Sequence, residues 1–319
     1  PYTILPLAFM LVVGMVFWRR MHQFYSRLQL LLRDSLAKAD AEPEAAAQAL
    51  AHFAAALTPE KVHLRAFPLA SGSWAVGKTI GGTTIYGAGT AFKRKGQSYW
   101  TFLGIAAAFA KSPTDPAYFF DPDTMEPRIN NPGFVAALDF YSSLVKVGPP
   151  DVVNWDVGDI RSNFPAGKLA LGIDWGDVGP LAADPKSSVV TAGWSAQAHP
   201  GVDKYYDAKA KQWVEKYNQA PFLAFGGWVG GVSKTTKNAD CAFDFLSFVG
   251  NQNMSQLLVV TGGTGVNPHY YSDMNNLDPW IESGMSQSQA TEYLAAVRDT
   301  INSPNAVVDL RITGAAEYF

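Results

Sequence analysis

Apolar and polar positions divide the chain into stretches of different character. Ile4 to Trp18, ILPLAFMLVVGMVFW, carries no charge and runs directly into Arg19-Arg20. A membrane-spanning helix uses ~20 apolar residues, and Pro1 to Leu5 add part of the missing turn, so the pattern predicts a truncated transmembrane helix over residues 1–20. A secretory signal would carry its positive charges before the apolar run and small residues after it, the reverse of this order. Beyond the arginines, Phe24, Leu28, Leu31, Leu32 and Leu36 recur at helical spacing beside Arg27, Arg33 and Lys38. That stripe predicts a juxtamembrane amphipathic helix, with membrane contact through residues 1–36. The alanine-rich AEPEAAAQALAHFAAALTPEK predicts a soluble helix ending near Pro59. VHLRAFPLASGSWAVGKTI predicts a short strand, a Ser-Gly-Ser turn and a second short element, which completes a segment of residues 21–80.

From residue 81 onward the pattern changes to α/β. LALGID and VVTAGW are strand-like, and they alternate with helical runs. In NPGFVAALDFYSSLVK, Asn131 is placed to cap and Pro132 occupies the first helical position, with Phe134, Leu138, Tyr141 and Leu144 as the apolar face. A later helix runs from Asn238 through Phe243, Phe245, Leu246 and Phe248 to Gly250. Between them lies APFLAFGGWVGGVSK, Ala220 to Lys234. Its paired glycines let another surface approach the backbone, and Trp228 puts a large flat ring at that spot. Two readings stay open there: a strand end facing a ligand, and a tightly packed strand with a core tryptophan.

Charge narrows the partners. The net charge of -3 is uneven, with eight Lys/Arg against five Asp/Glu in residues 1–80 and seventeen against twenty-three in residues 81–319. A mildly acidic second part gives no footprint for a phosphate backbone, so nucleic acid is not an expected partner. Cys241, the single cysteine, has no internal disulfide partner and is expected to be a small buried residue.

Several patterns bear on chemistry. Gly72 to Thr79, GSWAVGKT, matches the phosphate-loop spacing, with Lys78 placed for phosphates and Thr79 for magnesium. Such a loop needs a buried strand before it and a helix after it, yet VHLRAFPLA is short and interrupted by Pro68, and IGGTTIYGAG is too glycine-rich to start a helix. A surface turn is therefore the expected reading, with nucleotide binding as the alternative. Asp121 and Asp123 in FDPDTMEPRI lack the glycine and closing glutamate of a calcium loop, so a turn before a short strand is expected. His22, His52 and His63 have no carboxylate or cysteine company, and no metal site is expected. No Gly-x-Ser-x-Gly elbow occurs, His199 and His269 sit in polar loops, and Asp174 with Asp177 is weak support for glycoside hydrolysis. The chain is expected to be neither an enzyme nor a cofactor carrier.

The tryptophans carry more. Seven of the nine lie after residue 81. Trp155, Trp175 and Trp228 stand in Asn154-Trp155-Asp156, Asp174-Trp175-Gly176-Asp177 and Gly226-Gly227-Trp228, each beside polar or glycine residues at an expected strand end. Sugars offer flat apolar faces and a rim of hydroxyls, so indole platforms beside fixed carboxylates suit them. The alternative for Asp156 and Asp177 is a helix N-terminus or solvent.

Six segments in one order resemble the later part of a family 1 extracellular solute-binding protein, the capture subunit of an ABC importer. They are YGAGTAFKRKGQSYWTFL, YFFDPDTMEPRINNPGFVAALDFYSSLVK, VNWDVGDIRSNFPAGKLALGIDWGDVG, APFLAFGGWVGGVSKTTKNADCAFDFLSFV, TGGTGVNP and NSPNAVVDLRI. The resemblance implies a type II periplasmic-binding-protein-like lobe over residues 81–319, incomplete because most of a first lobe is missing. It implies capture of a small solute, a sugar by the site chemistry above, on the periplasmic or extracellular face, with an ABC permease as partner. Peptides and polyamines stay open as ligands. It places Asp174, Trp175, Gly226, Gly227 and Trp228 on the cleft wall, with Tyr99, Trp100 and Asn267 as further candidates. Loss of the first lobe would remove half of that wall and the hinge.

Residues 17–80 resemble instead the end of the membrane domain and the start of the regulatory tail of a monovalent cation/proton antiporter, through FWRRMHQFYSRLQLLLRDSLA and LRAFPLASGSWAVGKTI. The two resemblances disagree on topology. Arg19-Arg20 after the apolar helix would hold residues 19–319 in the cytoplasm, whereas solute capture works outside. A join of two coding regions near residues 80–85 reconciles them; the alternative is a membrane-anchored regulatory part of an antiporter.

Overall fold

The computed structural model describes residues 77–80, 82–224 and 227–312. The expected transmembrane helix, the amphipathic and alanine-rich helices and most of the Gly72 to Thr79 loop lie outside these residues, as does Gly226. Among the described residues no helix is long and apolar enough to cross a membrane. Apart from residues 80 and 82, all of them belong to one of two compact units, formed by residues 64–79 and 83–319.

Strand β1 (Lys78–Ile80) is followed by β2 (Thr83–Gly89), and the sheet has the order β1-β2-β3, with β3 at Leu169–Gly172. Gly77 has φ +69 and starts the turn into β1. Lys78 and Thr79 therefore stand in a strand, where a phosphate loop requires the first turn of a helix. The nucleotide reading fails on that geometry. β2 and β3 run parallel, with Tyr86 opposite Leu169 and Gly89 opposite Gly172. A parallel pair needs a long crossover, and three helices occupy it: α1 (Ser98–Ala110), α2 (Pro132–Ser143) and α3 (Val157–Asn163).

α1 is a helix of small and aromatic residues, and Ile105, Ala106 and Ala107 are fully buried. It packs on α2 in a cluster with Tyr118, Phe119, Phe134 and Tyr141, where Tyr118 stacks on Phe134 at 5.3 Å between ring centroids. α2 starts as its sequence requires, since Asn131 accepts from the N–H groups of Gly133 and Phe134 and Pro132 follows. Its buried face is Phe134, Ala137 and Tyr141, while Leu138 is exposed. The stripe expected through Leu138 is turned by about one position, because the close approach of α1 selects the small Ala137: a Cβ on neighbouring Gly133 would lie 2.8 Å from the Phe109 carbonyl.

α4 (Val178–Ala183) follows β3 after a short loop. The expected strand VVTAGW is irregular instead: Val189 donates to the Pro165 carbonyl, Gly193 closes a turn on Val190, and Val189 is exposed. A short antiparallel pair, β4 (Tyr205–Asp207) and β5 (Gln212–Val214), and a parallel pair, β6 (Phe222–Leu223) and β7 (Val307–Val308), complete the strands. Between β6 and β7 come α5 (Ala239–Val249), α6 (Gln252–Val260), α7 (Tyr271–Asn275), α8 (Asp278–Glu282) and α9 (Gln287–Ile301). A second core joins Trp280, Tyr293, Leu294 and Val259 to Ala182 and Trp194.

α5 forms where expected but buries no residue: Phe243, Phe245 and Phe248 are exposed. Cys241 is exposed as well, against its expected burial, because it shares this helix. Asp121 accepts from the N–H groups of Asp123 and Thr124, which makes FDPDTMEPRI the expected turn, and it pairs with Arg128.

Candidate functional site

The site begins where β3 ends. The N–H of Ile173 donates to the Gly89 carbonyl, which continues the β2 pairing by one residue and delivers Asp174 and Trp175 beyond the strand end. The Asp174 side chain is wholly buried. It accepts from its neighbour's N–H, Trp175, at 2.7 Å, and from Arg161 Nε and Nη2 at 3.1 and 3.4 Å. Arg161 Nη2 also donates to Asp177 Oδ1 at 3.0 Å, so one guanidinium holds both carboxylates.

Helix α3 positions that arginine. Its N-terminus carries a reciprocal capping box, in which Asp159 accepts from the Asp156 N–H while Asp156 accepts from backbone N–H groups at the start of the helix. Val157 and Ile160 anchor its buried side, and Arg161 follows in the last turn.

Burial decides the electrostatics. It pushes the Asp174 carboxyl up to about 6, against the pull of Arg161 and of the Trp175 N–H. Asp177 is raised by burial too, with Arg161 and Asn267 opposing. Asp177 Oδ2 is buried and makes no hydrogen bond of ordinary geometry, although the nearby Asn267 side chain biases the carboxyl toward its charged form. Gly176 explains how the polar groups crowd together: a Cβ there would meet Asn267 Oδ1 at 3.0 Å and the Tyr293 hydroxyl at 3.2 Å. That hydroxyl is buried without a partner, and both burial and the Asp177 charge push its pKa upward.

Aromatic rings flank the charged group. Trp175 meets Trp100 edge to face with centroids 5.8 Å apart, and Trp100 lies 4.2 Å from Tyr99. Trp100 Nε1 donates to Asp309 at 2.7 Å and Trp175 Nε1 to the Ala224 carbonyl at 3.4 Å. Trp228 is 70% exposed, and its Nε1 donates to the Gly265 carbonyl at 2.9 Å. Its loop is thereby tied to the segment that carries Asn267.

The structure thus brings together Asp174, Trp175, Asp177 and Asn267, with Tyr99 and Trp100 on one flank through Trp175. Trp228 joins through Gly265. Gly227, at φ +106, has open space where a Cβ would be and is exposed. Trp155 is placed differently: it is 7% exposed, in a core cluster with Ala91, Val152 and Ile160, and Trp175 packs against that cluster from outside. Its backbone carbonyl accepts from Phe92 and Lys93. Asp156 is engaged as a helix cap and also accepts from the Gln97 N–H at the start of α1. Both are scaffold beneath the site.

Arg161, Tyr293 and Asp309 were not legible in the sequence. Arg161 is a single arginine in a short helix, thirteen residues before its first partner, and no local spacing announces a pairing across a strand. Asp174 and Asp177 are both engaged by one arginine, Arg161. Among the described residues no cluster of His, Cys, Asp and Glu has the makings of a metal site.

Comparison with curated proteins gives no match. Among solved structures, the fold is similar to an ABC transporter solute-binding protein from Agrobacterium radiobacter K84 in complex with ribitol, at 19% identity and a TM-score of 0.48, over 68% of this chain and 47% of that one. It is also similar to one from Agrobacterium vitis S4 with bound D-mannitol, at 21% identity and a TM-score of 0.40, over 63% of this chain and 44% of that one. The chain spans about half the length of these proteins. Residues 75–252, more than half of the chain, match the family described as bacterial extracellular solute-binding protein. With that match, the chain belongs to the bacterial extracellular solute-binding protein family.

Proposed function

We propose that this chain carries one wall of a sugar-binding site in an extracytoplasmic solute-binding protein that serves an ABC importer. The supporting observation is the loop after β3, where Trp175 adjoins two carboxylates held by one guanidinium and meets Trp100 edge to face. An indole face suits the C–H face of a pyranose or the carbon chain of a polyol, and fixed charged groups hydrogen-bond its hydroxyls. Trp228 adds an exposed ring to the half-buried Trp175. The family's permease partnership and its location outside the cytoplasm belong to the same proposal, as does a permease-docked closed state of the whole protein.

Titration of intrinsic tryptophan fluorescence with a panel of sugars and sugar alcohols, ribitol and D-mannitol included, tests this reading. The expected result is a saturable change for at least one member, weakened tenfold or more by Trp175→Ala. A panel that leaves the emission unchanged overturns it. Chromogenic glycosides are expected to remain intact over the same period, and release of the chromophore would favour an enzyme instead.

A further inference from the structure

Arg161 has a part of its guanidinium that the carboxylates do not use. Nε and Nη2 are taken by Asp174 and Asp177, whereas Nη1 donates to no described residue, and the side chain is 26% exposed. An arginine gripped on one edge cannot swing, so its remaining N–H groups point in a fixed direction at no further entropic cost.

The charge around it is lopsided. Two carboxylates face one guanidinium, and the Asp174 side chain is fully buried while Asp177 is nearly so. The group carries one net negative charge when both are ionised, in surroundings that screen it little. Asp177 Oδ2 and the Tyr293 hydroxyl add two more buried oxygens that lack hydrogen-bond partners of ordinary geometry. An arginine arranged to neutralise an acid would be left with positive charge to spare. Here the positive charge is already exceeded.

We propose that Arg161 is a solute-binding residue that donates from Nη1 to a hydroxyl oxygen, and that the Asp174–Arg161–Asp177 group selects neutral polyhydroxy solutes over their carboxylic-acid counterparts. This rests on the reading of the β3 loop mouth as the solute site. The selection works by sign. A neutral hydroxyl accepts from Nη1 without meeting repulsion, whereas a carboxylate brought to the same edge faces two like charges behind it. Asp174 and Asp177 are positioning residues in this scheme, acting through the arginine.

The test is isothermal titration calorimetry on the full chain with matched probes: D-glucose against D-glucuronate, and D-mannitol against D-mannonate. The expected result is that the neutral member of at least one pair binds ten times or more tightly than its acid. Arg161→Lys, which keeps the charge but loses the fixed edge, is expected to weaken the neutral probe at least tenfold. Asp177→Asn is expected to narrow the preference for the neutral probe at least fivefold, and it carries the test if Arg161→Lys does not fold, as judged by circular dichroism. Acids that bind as well as neutral probes, or an unchanged preference in Asp177→Asn, overturn the proposal while leaving the solute site standing. Absence of binding by all four probes overturns the site reading and this proposal with it.

Discussion

Trp100 donates its indole N–H to Asp309 at 2.7 Å, a bond that joins the first turn of α1 to the residue just beyond β7 across 209 positions of sequence. The Asp309 charge also acts on Tyr99, whose phenol is raised above its ordinary range by burial first and by Asp309 second. Asp309→Asn is therefore expected to bring the Tyr99 pKa down without returning it to the ordinary value, because burial persists. Ultraviolet titration of the phenolate, with Tyr99→Phe as the reference, reads the shift directly. Asp309→Ala leaves a half-buried indole N–H without this acceptor and is expected to cost about 1–2 kcal/mol in urea unfolding.

Two tryptophans that look alike in the sequence should part company on mutation. Trp155 is sealed in the core beside Val152 and Ile160, so Trp155→Ala is expected to cost about 3–5 kcal/mol of stability. Trp228 lies at the surface with one hydrogen bond to Gly265 among its contacts, and Trp228→Ala is expected to cost roughly 1 kcal/mol or less. Chemical denaturation of both variants decides it, and similar losses at the two positions would contradict their placement.

The buried Asp174 gives a pH signature with a definite sign. Its folded pKa of about 6 lies above the ordinary carboxylate value, so the fold favours the protonated form. The stability it contributes is complete below about pH 4 and is lost as pH rises through about 6, by an amount on the order of 3 kcal/mol. Asp174→Asn cannot titrate. The stability of the wild-type chain relative to this variant is expected to fall between pH 4 and 7, measured by urea unfolding at each pH, and a constant difference would contradict the account.

Cys241 offers a simpler check. It is exposed on α5, among the exposed rings of Phe243, Phe245 and Phe248. Ellman's reagent is expected to titrate one thiol per chain in native buffer, and a reaction that waits for denaturant would contradict that exposure.

How far the sequence foretold all this depended on the range of the interactions involved. Asn131 and Pro132 announced the start of α2 because a cap acts within one turn, and LALGID was readable as β3 because a short apolar run between polar ends has few alternatives. That Asp174, Trp175 and Asp177 lie side by side was readable because they fall within four residues of one loop. Other expectations gave way to tertiary packing. Leu138 was misassigned to a buried face because the packing of α1 chose the small Ala137. VVTAGW has strand-like residues but lies where Val189 bonds to the Pro165 carbonyl and finds no neighbouring strand. The phosphate-loop spacing is a local match that the strand at Lys78–Ile80 overrules. Trp155 and Trp175 share the same polar company in sequence, and only the folded chain puts one inside and the other above it. Arg161 was hidden because its meaning lies entirely in the two partners that β3 carries to it.

The most direct measurement uses the chain with its tryptophans labelled with nitrogen-15 at the indole nitrogen, followed by nuclear magnetic resonance as a sugar or sugar alcohol is added. The nine indole signals are assigned by single Trp→Phe variants. The account predicts that the Trp175 and Trp228 signals shift together and saturably, while those of Trp155 and Trp280 stay in place. A panel of sugars and sugar alcohols that moves neither Trp175 nor Trp228, or that moves only tryptophans remote from Asp174 and Asp177, would contradict it.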